Sequence, residues 1–162
     1  MSDINTLLAR IGGGFFQQAF VVADLTAAET AMRDGLGCSA FADLPASDLD
    51  YELRGRPVQA ALAIGFARSG NVQIELIQPV RGESIHAEFL AAQGSGAHHF
   101  GYLVDRIDDV VALADKAGFT KVMGGQFANL RFCYLDTWDA LGLYTELVED
   151  PDNMMMALMP WK

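Results

Sequence analysis

Gln17-Gln18-Ala19-Phe20-Val21-Val22-Ala23-Asp24-Leu25 and His98-His99-Phe100-Gly101-Tyr102-Leu103-Val104-Asp105-Arg106-Ile107 carry nearly the same pattern twice in one chain. Each begins with polar residues, passes through a strand-like apolar alternation and reaches an Asp where a helical pattern takes over. Each is answered later by a strand-like run with an internal Glu-Leu, Ile74-Glu75-Leu76-Ile77 in the first copy and Thr145-Glu146-Leu147-Val148 in the second. Four polar side chains, Gln17, Glu75, His99 and Glu146, therefore recur at matching places. Imidazole, carboxylate and amide oxygen together make a donor set suited to a divalent metal ion.

Outward from these stretches, each opening strand runs into a helix. Thr26-Ala27-Ala28-Glu29 has capping-box spacing, with Gly35 and Gly37 available to end the first helix. The second helix starts near Asp108, runs through Val110, Val111, Leu113 and Ala114 and stops at Gly118. Strand patterns follow over residues 51–54, 59–67 and 71–77, and again over 121–123, 130–135 and 143–148, with Arg68-Ser69-Gly70-Asn71 as a hairpin turn. Two βαβββ modules are thus expected, at 15–82 and 97–150. They are flanked by an extension over 1–14, a connecting segment over 83–96 with a short helix, and an apolar tail over 151–162. Met154-Met155-Met156, Leu158, Met159 and Trp161 make that tail too apolar to hang free, so it is expected on the body or at a subunit interface.

Half of the 162 residues are apolar, enough for a substantial core and against disorder. A net charge of −10, from 11 basic and 21 acidic residues, opposes the positive field that nucleic acid or an anionic membrane requires. A local anion pocket built from a few arginines is still open. No apolar run approaches the roughly 18 residues of a spanning helix, and residues 1–10 lack a basic stretch leading into an apolar one, so a soluble cytoplasmic protein is expected. Cys38 and Cys133 stand far apart in no metal-type spacing and read as reduced packing residues.

Strand side chains alternate faces, so Gln17 shares a face with Ala19 and Val21, and His99 with Gly101 and Leu103. Glu75 likewise goes with Gln73 and Ile77, and Glu146 with Tyr144 and Val148. A carboxylate between apolar strand neighbours is costly to bury unless paired or bound to a cation. Taken singly, His99 reads as a core histidine bonded to a carbonyl and each Glu as an edge residue. The repeat overturns both readings. His86, in Ser84-Ile85-His86-Ala87-Glu88, is expected on an exposed helix face, and Asp108-Asp109 and Glu149-Asp150 as solvated caps.

The βαβββ repeat, the polar residue opening each first strand, the His98-His99 pair after Gly94-Ser95-Gly96 and both Glu-Leu strands resemble the vicinal oxygen chelate superfamily. Glyoxalase I, methylmalonyl-CoA epimerase, extradiol dioxygenases, fosfomycin resistance enzymes and bleomycin resistance proteins belong to it, and the likeness covers roughly residues 15–149. It implies an α+β fold in which two modules form a cupped, partly open mixed β-barrel with helices outside and a metal within. The matching ligand positions are Gln17, Glu75, His99 and Glu146. His99 is the better match of the two histidines, because it precedes Arg106 by the same seven residues that separate Gln17 from Asp24. His98 would then face away, and Gln17 fits better than Gln18 unless a bulge exchanges them. With Gln rather than His at the first position, the set resembles that of zinc-binding glyoxalase I enzymes and argues against ring-cleaving dioxygenase chemistry.

The resemblance implies a divalent metal, zinc first, with nickel, cobalt, manganese or iron as alternatives, and proton abstraction beside a carbonyl. Glu146 is the first candidate base and Glu75 the second, for the opposite face. Arg54, Arg131 and Tyr144 are candidates for substrate contact, with Tyr51 and Arg56 nearby in the pattern. A metal-dependent isomerase or lyase acting on a small carbonyl compound or thioester is expected, as a homodimer. The competing readings are a binding protein that sequesters an apolar ligand, as in the bleomycin resistance branch, and a thiol transferase like the fosfomycin enzymes.

Overall fold

The structure, a computed structural model, describes residues 3–157, so Leu158, Met159 and Trp161 of the expected tail lie outside the described residues. In chain order the elements are α1 (Ile4–Ile11), β1 (Phe15–Val21), α2 (Leu25–Leu36), β2 (Ala42–Leu44), β3 (Asp48–Leu53), β4 (Arg56–Ser69), β5 (Val72–Gly82) and α3 (Ile85–Gln93). Then follow β6 (Gly96–Leu103), α4 (Ile107–Lys116), β7 (Lys121–Phe127), β8 (Leu130–Leu135), α5 (Trp138–Leu141), β9 (Tyr144–Glu149) and α6 (Met154–Ala157). The fold is α+β. Its strands run β4-β3-β7-β8-β9-β6-β1-β5 and back to β4, an eight-stranded mixed barrel, with β2 added outside β4.

Two seams join the halves. At one, β1 runs antiparallel to β6, with Gln17 opposite Gly101 and Ala19 opposite His99. At the other, β3 meets β7 only through Tyr51, Glu52 and Leu53, opposite Gly125, Gly124 and Met123, so the cup is closed on that side by a short ladder. Within the halves, β1 pairs parallel with β5 and β6 with β9. These registers set Gln17 beside Gln73, Ala19 beside Glu75 and Gly101 beside Glu146.

Alternation then sorts the side chains into layers. Val21, Tyr51, Leu62, Ile77, Met123 and Tyr134 fill one end of the interior together with Ile85 and Phe89 of α3. Phe16, Phe66, Leu130 and Val148 fill the other end with Met155 of α6. Outside, Leu147, Leu135, Cys133 and Tyr102 pack against Ile107, Val110 and Ala114 of α4 and against Leu7 and Ile11 of α1. Ile74, Leu76 and Val22 pack beneath α2 with Cys38. Both cysteines are free and buried, as their sequence contexts suggested.

Local chemistry departs from expectation at a few points. The carboxylate of Asp24, not Thr26, caps α2 by accepting from the Ala27 N–H at 3.0 Å, so Thr26 lies inside the first turn. Gly37 ends that helix in the left-handed region at φ +62°, where a Cβ would be unfavourable. Helix α1 was not anticipated, although Asp3 caps it and Ile4, Leu7, Leu8 and Ile11 have helical spacing. No described helix is long and apolar enough to cross a membrane.

Candidate metal centre

Gln17 from β1, Glu75 from β5, His99 from β6 and Glu146 from β9 meet inside the barrel, at 0, 5, 0 and 6% exposure. Three oxygens surround one ring nitrogen. His99 Nε2 lies 3.3 Å from Gln17 Oε1, 3.3 Å from Glu75 Oε2 and 3.4 Å from Glu146 Oε2. A single N–H cannot serve three acceptors, and each separation exceeds the roughly 2.7–2.9 Å of a well-formed charge-assisted hydrogen bond. Glu75 Oε2 and Glu146 Oε2 are buried without a hydrogen-bond partner. The donor atoms of Glu75, His99 and Glu146 all lie within 4.8 Å of one another. Orphaned carboxylate oxygens around an imidazole, in an apolar wall, fit a divalent cation.

The surrounding contacts hold these atoms in place. Gln17 Nε2 donates to Gln73 Oε1 at 2.6 Å, which turns the Gln17 oxygen toward His99. Gln73 is itself buried, and its own Nε2 donates to the Met155 carbonyl at 3.4 Å, linking α6 to the cluster. Gly101 makes room: a Cβ there would sit 2.6 Å from Gln17 Oε1 and 2.9 Å from Gln17 Cβ. Gly101→Ala is therefore expected to push the Gln17 amide out of the cluster and to weaken metal binding about 10–100-fold, the usual cost of losing a supporting contact. Isothermal titration of the variant with zinc checks this.

Charge couples the cluster to pH. Burial by itself would push the His99 imidazole down, but the negative charges of Glu146 and then Glu75 facing its Nε2 outweigh it and hold His99 at about 9. Burial also pushes Glu75 up, with the Glu146 charge adding to that and His99 opposing it. A His99 pKa raised from 6.5 means that the folded chain holds this proton more tightly than the unfolded one. Its stabilisation is complete below about 6.5 and is lost as pH rises through about 9. In metal-free protein the urea midpoint is expected to fall across this window, and His99→Gln to remove that part of the slope.

His98 and His86 are found elsewhere than expected. The β1–β6 ladder steps from Ala19↔His99 to Phe20↔Ala97, so His98 is the extra residue of a bulge and turns inward beside His99 instead of facing away. His98 Nδ1 lies 2.9 Å from His99 Nδ1. His86 is 1% exposed, not on a solvated face, because α3 closes one end of the barrel. Its ring packs 4.8 Å from that of His98 and 5.2 Å from that of Tyr134. Tyr134 is fully enclosed beside Glu146, its neighbour in register. Burial, then the charges of Glu146 and Glu75, keep its hydroxyl protonated far above the usual range. Tyr51 is pushed up to about 12, by burial and then by Glu75.

The remaining candidates are not brought to the cluster. Arg54 sits in the β3–β4 turn at φ +48° and pairs both its terminal nitrogens with Glu88, at 2.8 Å each. Arg131 points out from β8 to Asp108, at 2.7 and 3.1 Å, so Asp108 is an ion-pair partner as well as a helix-start residue. Arg56 pairs with Glu83. Tyr144 faces inward with its ring 5.0 Å from His98, and with Trp138 and Phe89 it lines a surface hollow of about 460 Å³. Sequence reading missed Gln73 as the residue that orients Gln17, although its shared face with Glu75 was the available signal.

A family model described as Glyoxalase/Bleomycin resistance protein/Dioxygenase superfamily matches residues 16–134. No curated protein matches the chain in sequence. Among solved structures, methylmalonyl-CoA epimerase from Mycobacterium tuberculosis is similar at 22% identity and a TM-score of 0.60, over 86% of this chain and 88% of that one. A hypothetical protein from Bacillus halodurans is similar at 20% identity and a TM-score of 0.59, over 83% and 91%. A Streptomyces coelicolor methylmalonyl-CoA epimerase, in complex with 2-nitronate-propionyl-CoA, is similar at 22% identity and a TM-score of 0.55, over 83% and 94%. At these identities the likeness speaks for the fold.

Proposed function

Because the chain belongs to the glyoxalase/bleomycin resistance protein/dioxygenase superfamily, we propose that Gln17, Glu75, His99 and Glu146 hold a divalent metal ion in an isomerase or lyase of enolisable carbonyl compounds. The observation that carries this reading is the convergence of three buried oxygens on His99 Nε2. Zinc is the first choice for such a set of one nitrogen and three oxygens, and nickel, cobalt, manganese and iron are the others. A bound ion would supply Lewis-acid stabilisation of the negative charge that develops on a carbonyl oxygen.

The protein's own groups would do the rest. Glu146, through Oε2, would take the proton from the carbon beside the carbonyl, and Glu75 would serve the opposite face. Both carboxylates lie at the His99 ring edge, so a substrate carbon held there is within reach of either. Gln73 keeps the Gln17 amide turned inward. The apolar walls, including Phe66, Phe132 and Met155, would keep water from the carbanion. A thioester stands first among substrate classes, because the Streptomyces coelicolor epimerase was solved with 2-nitronate-propionyl-CoA.

Elemental mass spectrometry of gently purified protein, beside a Glu146→Ala, His99→Ala double variant, tests the reading. About one divalent ion per chain, absent from the variant, is the expected result. Failure to take up any divalent ion on incubation would refute it and leave capture of an apolar ligand as the better account.

A further inference from the structure

We propose that the hollow between α3, α5 and the start of β9 binds an organic cation, a small molecule that carries a quaternary ammonium group. The hollow measures about 460 Å³, within the roughly 300–1,000 Å³ of small-molecule sites. Its wall is aromatic: Phe89, Trp138 and Tyr144 line it, with ring centroids 6.0 Å apart for Phe89 and Trp138 and 5.6 Å apart for Trp138 and Tyr144. Interplanar angles of 67° and 48° make these rings a concave wall rather than a flat stack. A cation seated against Trp138 can therefore stand within roughly 6 Å of two neighbouring centroids at once, the range over which an aromatic face attracts positive charge. The wall is also held in place. The His98 ring backs Phe89 at 5.1 Å and Tyr144 at 5.0 Å, the backbone N–H of Trp138 donates to Asp136 Oδ1 at 3.2 Å, and the Thr137 hydroxyl donates to the Leu143 carbonyl at 2.7 Å.

Charge selects the class of ligand. Glu88, Asp136 and Asp139 stand on the lining, and none of the described residues that line it is a lysine, arginine or histidine. Arg54 lies beside the rim, but both its terminal nitrogens go to Glu88, at 2.8 Å each. Asp136 and Asp139 are left to give the mouth a negative potential, which draws in a cation and repels phosphate. The hollow is therefore no seat for the phosphates of a coenzyme A thioester. A primary ammonium would need acceptors packed around its N–H groups. Here the carboxylates stand on exposed residues at the mouth, and the rings, part-exposed at Trp138 and Tyr144, make the wall. A methylated ammonium matches that division, because its charge is spread over methyl groups that lie against rings and needs no hydrogen bond. Gln17, Glu75, His99 and Glu146 take no part in the lining, so this site is independent of the metal centre.

Isothermal titration of the full chain with choline tests the site, beside the uncharged carbon analogue dimethylbutanol, in which a tert-butyl group replaces the trimethylammonium. The expected result is one choline bound per chain, with the analogue at least about 10-fold weaker, because the two differ in charge and hardly in shape. Trp138→Leu should weaken choline about 10-fold or more. Asp136→Asn combined with Asp139→Asn should weaken it about 3–10-fold and flatten its dependence on salt. Asparagine at position 136 keeps an oxygen for the backbone N–H of Trp138, so the wall stays in place. No choline binding at millimolar concentration, equal binding of choline and the analogue, or unchanged affinity in Trp138→Leu would each overturn the proposal. If Trp138→Leu does not fold by circular dichroism, the Asp136→Asn, Asp139→Asn variant decides. Weaker choline binding there supports the site, and unchanged choline binding refutes it.

Discussion

His99→Ala is expected to yield a folded protein that no longer retains a metal ion, with affinity falling by far more than the about 10–100-fold that follows loss of a supporting residue. His99 is the hub of the cluster: Gln17, Glu75 and Glu146 each place an oxygen 3.3–3.4 Å from its Nε2. Removing the ring leaves two buried carboxylates and an amide oxygen with no nitrogen donor and no proton to share. Glu75, already pushed up by burial and by the Glu146 charge, would then hold its proton more firmly and compete with metal. The fold should survive, because His99 lies in a ladder whose register is also fixed by Gln17↔Gly101 and by Phe100↔Thr145. Equilibrium dialysis against zinc, with circular dichroism as the folding control, checks both halves of the expectation. A variant that kept zinc at the wild-type level would remove His99 from the centre.

Alternation put each of Gln17, Glu75, His99 and Glu146 on the inner face, and the internal repeat with the family resemblance matched the four positions; the strand registers bring them to one place. Irregularity was not legible in the same way. The bulge at His98 inserts one residue into the ladder, and alternation alone sends the second of two adjacent histidines outward. His86 was misplaced for a related reason. Helix α3 carries Ile85, Ala87, Phe89, Leu90, Ala91 and Ala92 around most of its circumference, so no polar stripe marks which side meets solvent. Glu88, two residues on, is the side chain that does point outward, to Arg54. Asp24 outcompeted Thr26 as a cap because its carboxylate reaches Ala27 from the end of the strand. Arg54 and Arg131 looked like anion receptors in sequence; only the tertiary structure supplies their partners, Glu88 and Asp108.

Glu146→Gln is expected to separate metal holding from proton transfer. The amide keeps an oxygen donor of the same reach at the same point of β9, so the variant should still take up metal, though more weakly. It has no basic oxygen for a carbon-bound proton. Loss of a positioned base costs about 10²–10⁴ in rate, and most of that should appear as lost exchange of the substrate α-hydrogen with solvent deuterium. Glu75→Gln provides the contrast. If Glu146 and Glu75 serve opposite faces, each variant should still exchange on one face of a prochiral thioester such as propionyl-CoA, and the two should retain deuterium in opposite configurations. Equal loss on both faces from Glu146→Gln alone would make Glu146 the only base and Glu75 purely a holder of the ion. Burial favours the two-base outcome: burial and the Glu146 charge push the Glu75 carboxyl up, the direction that suits a group taking up and returning a proton.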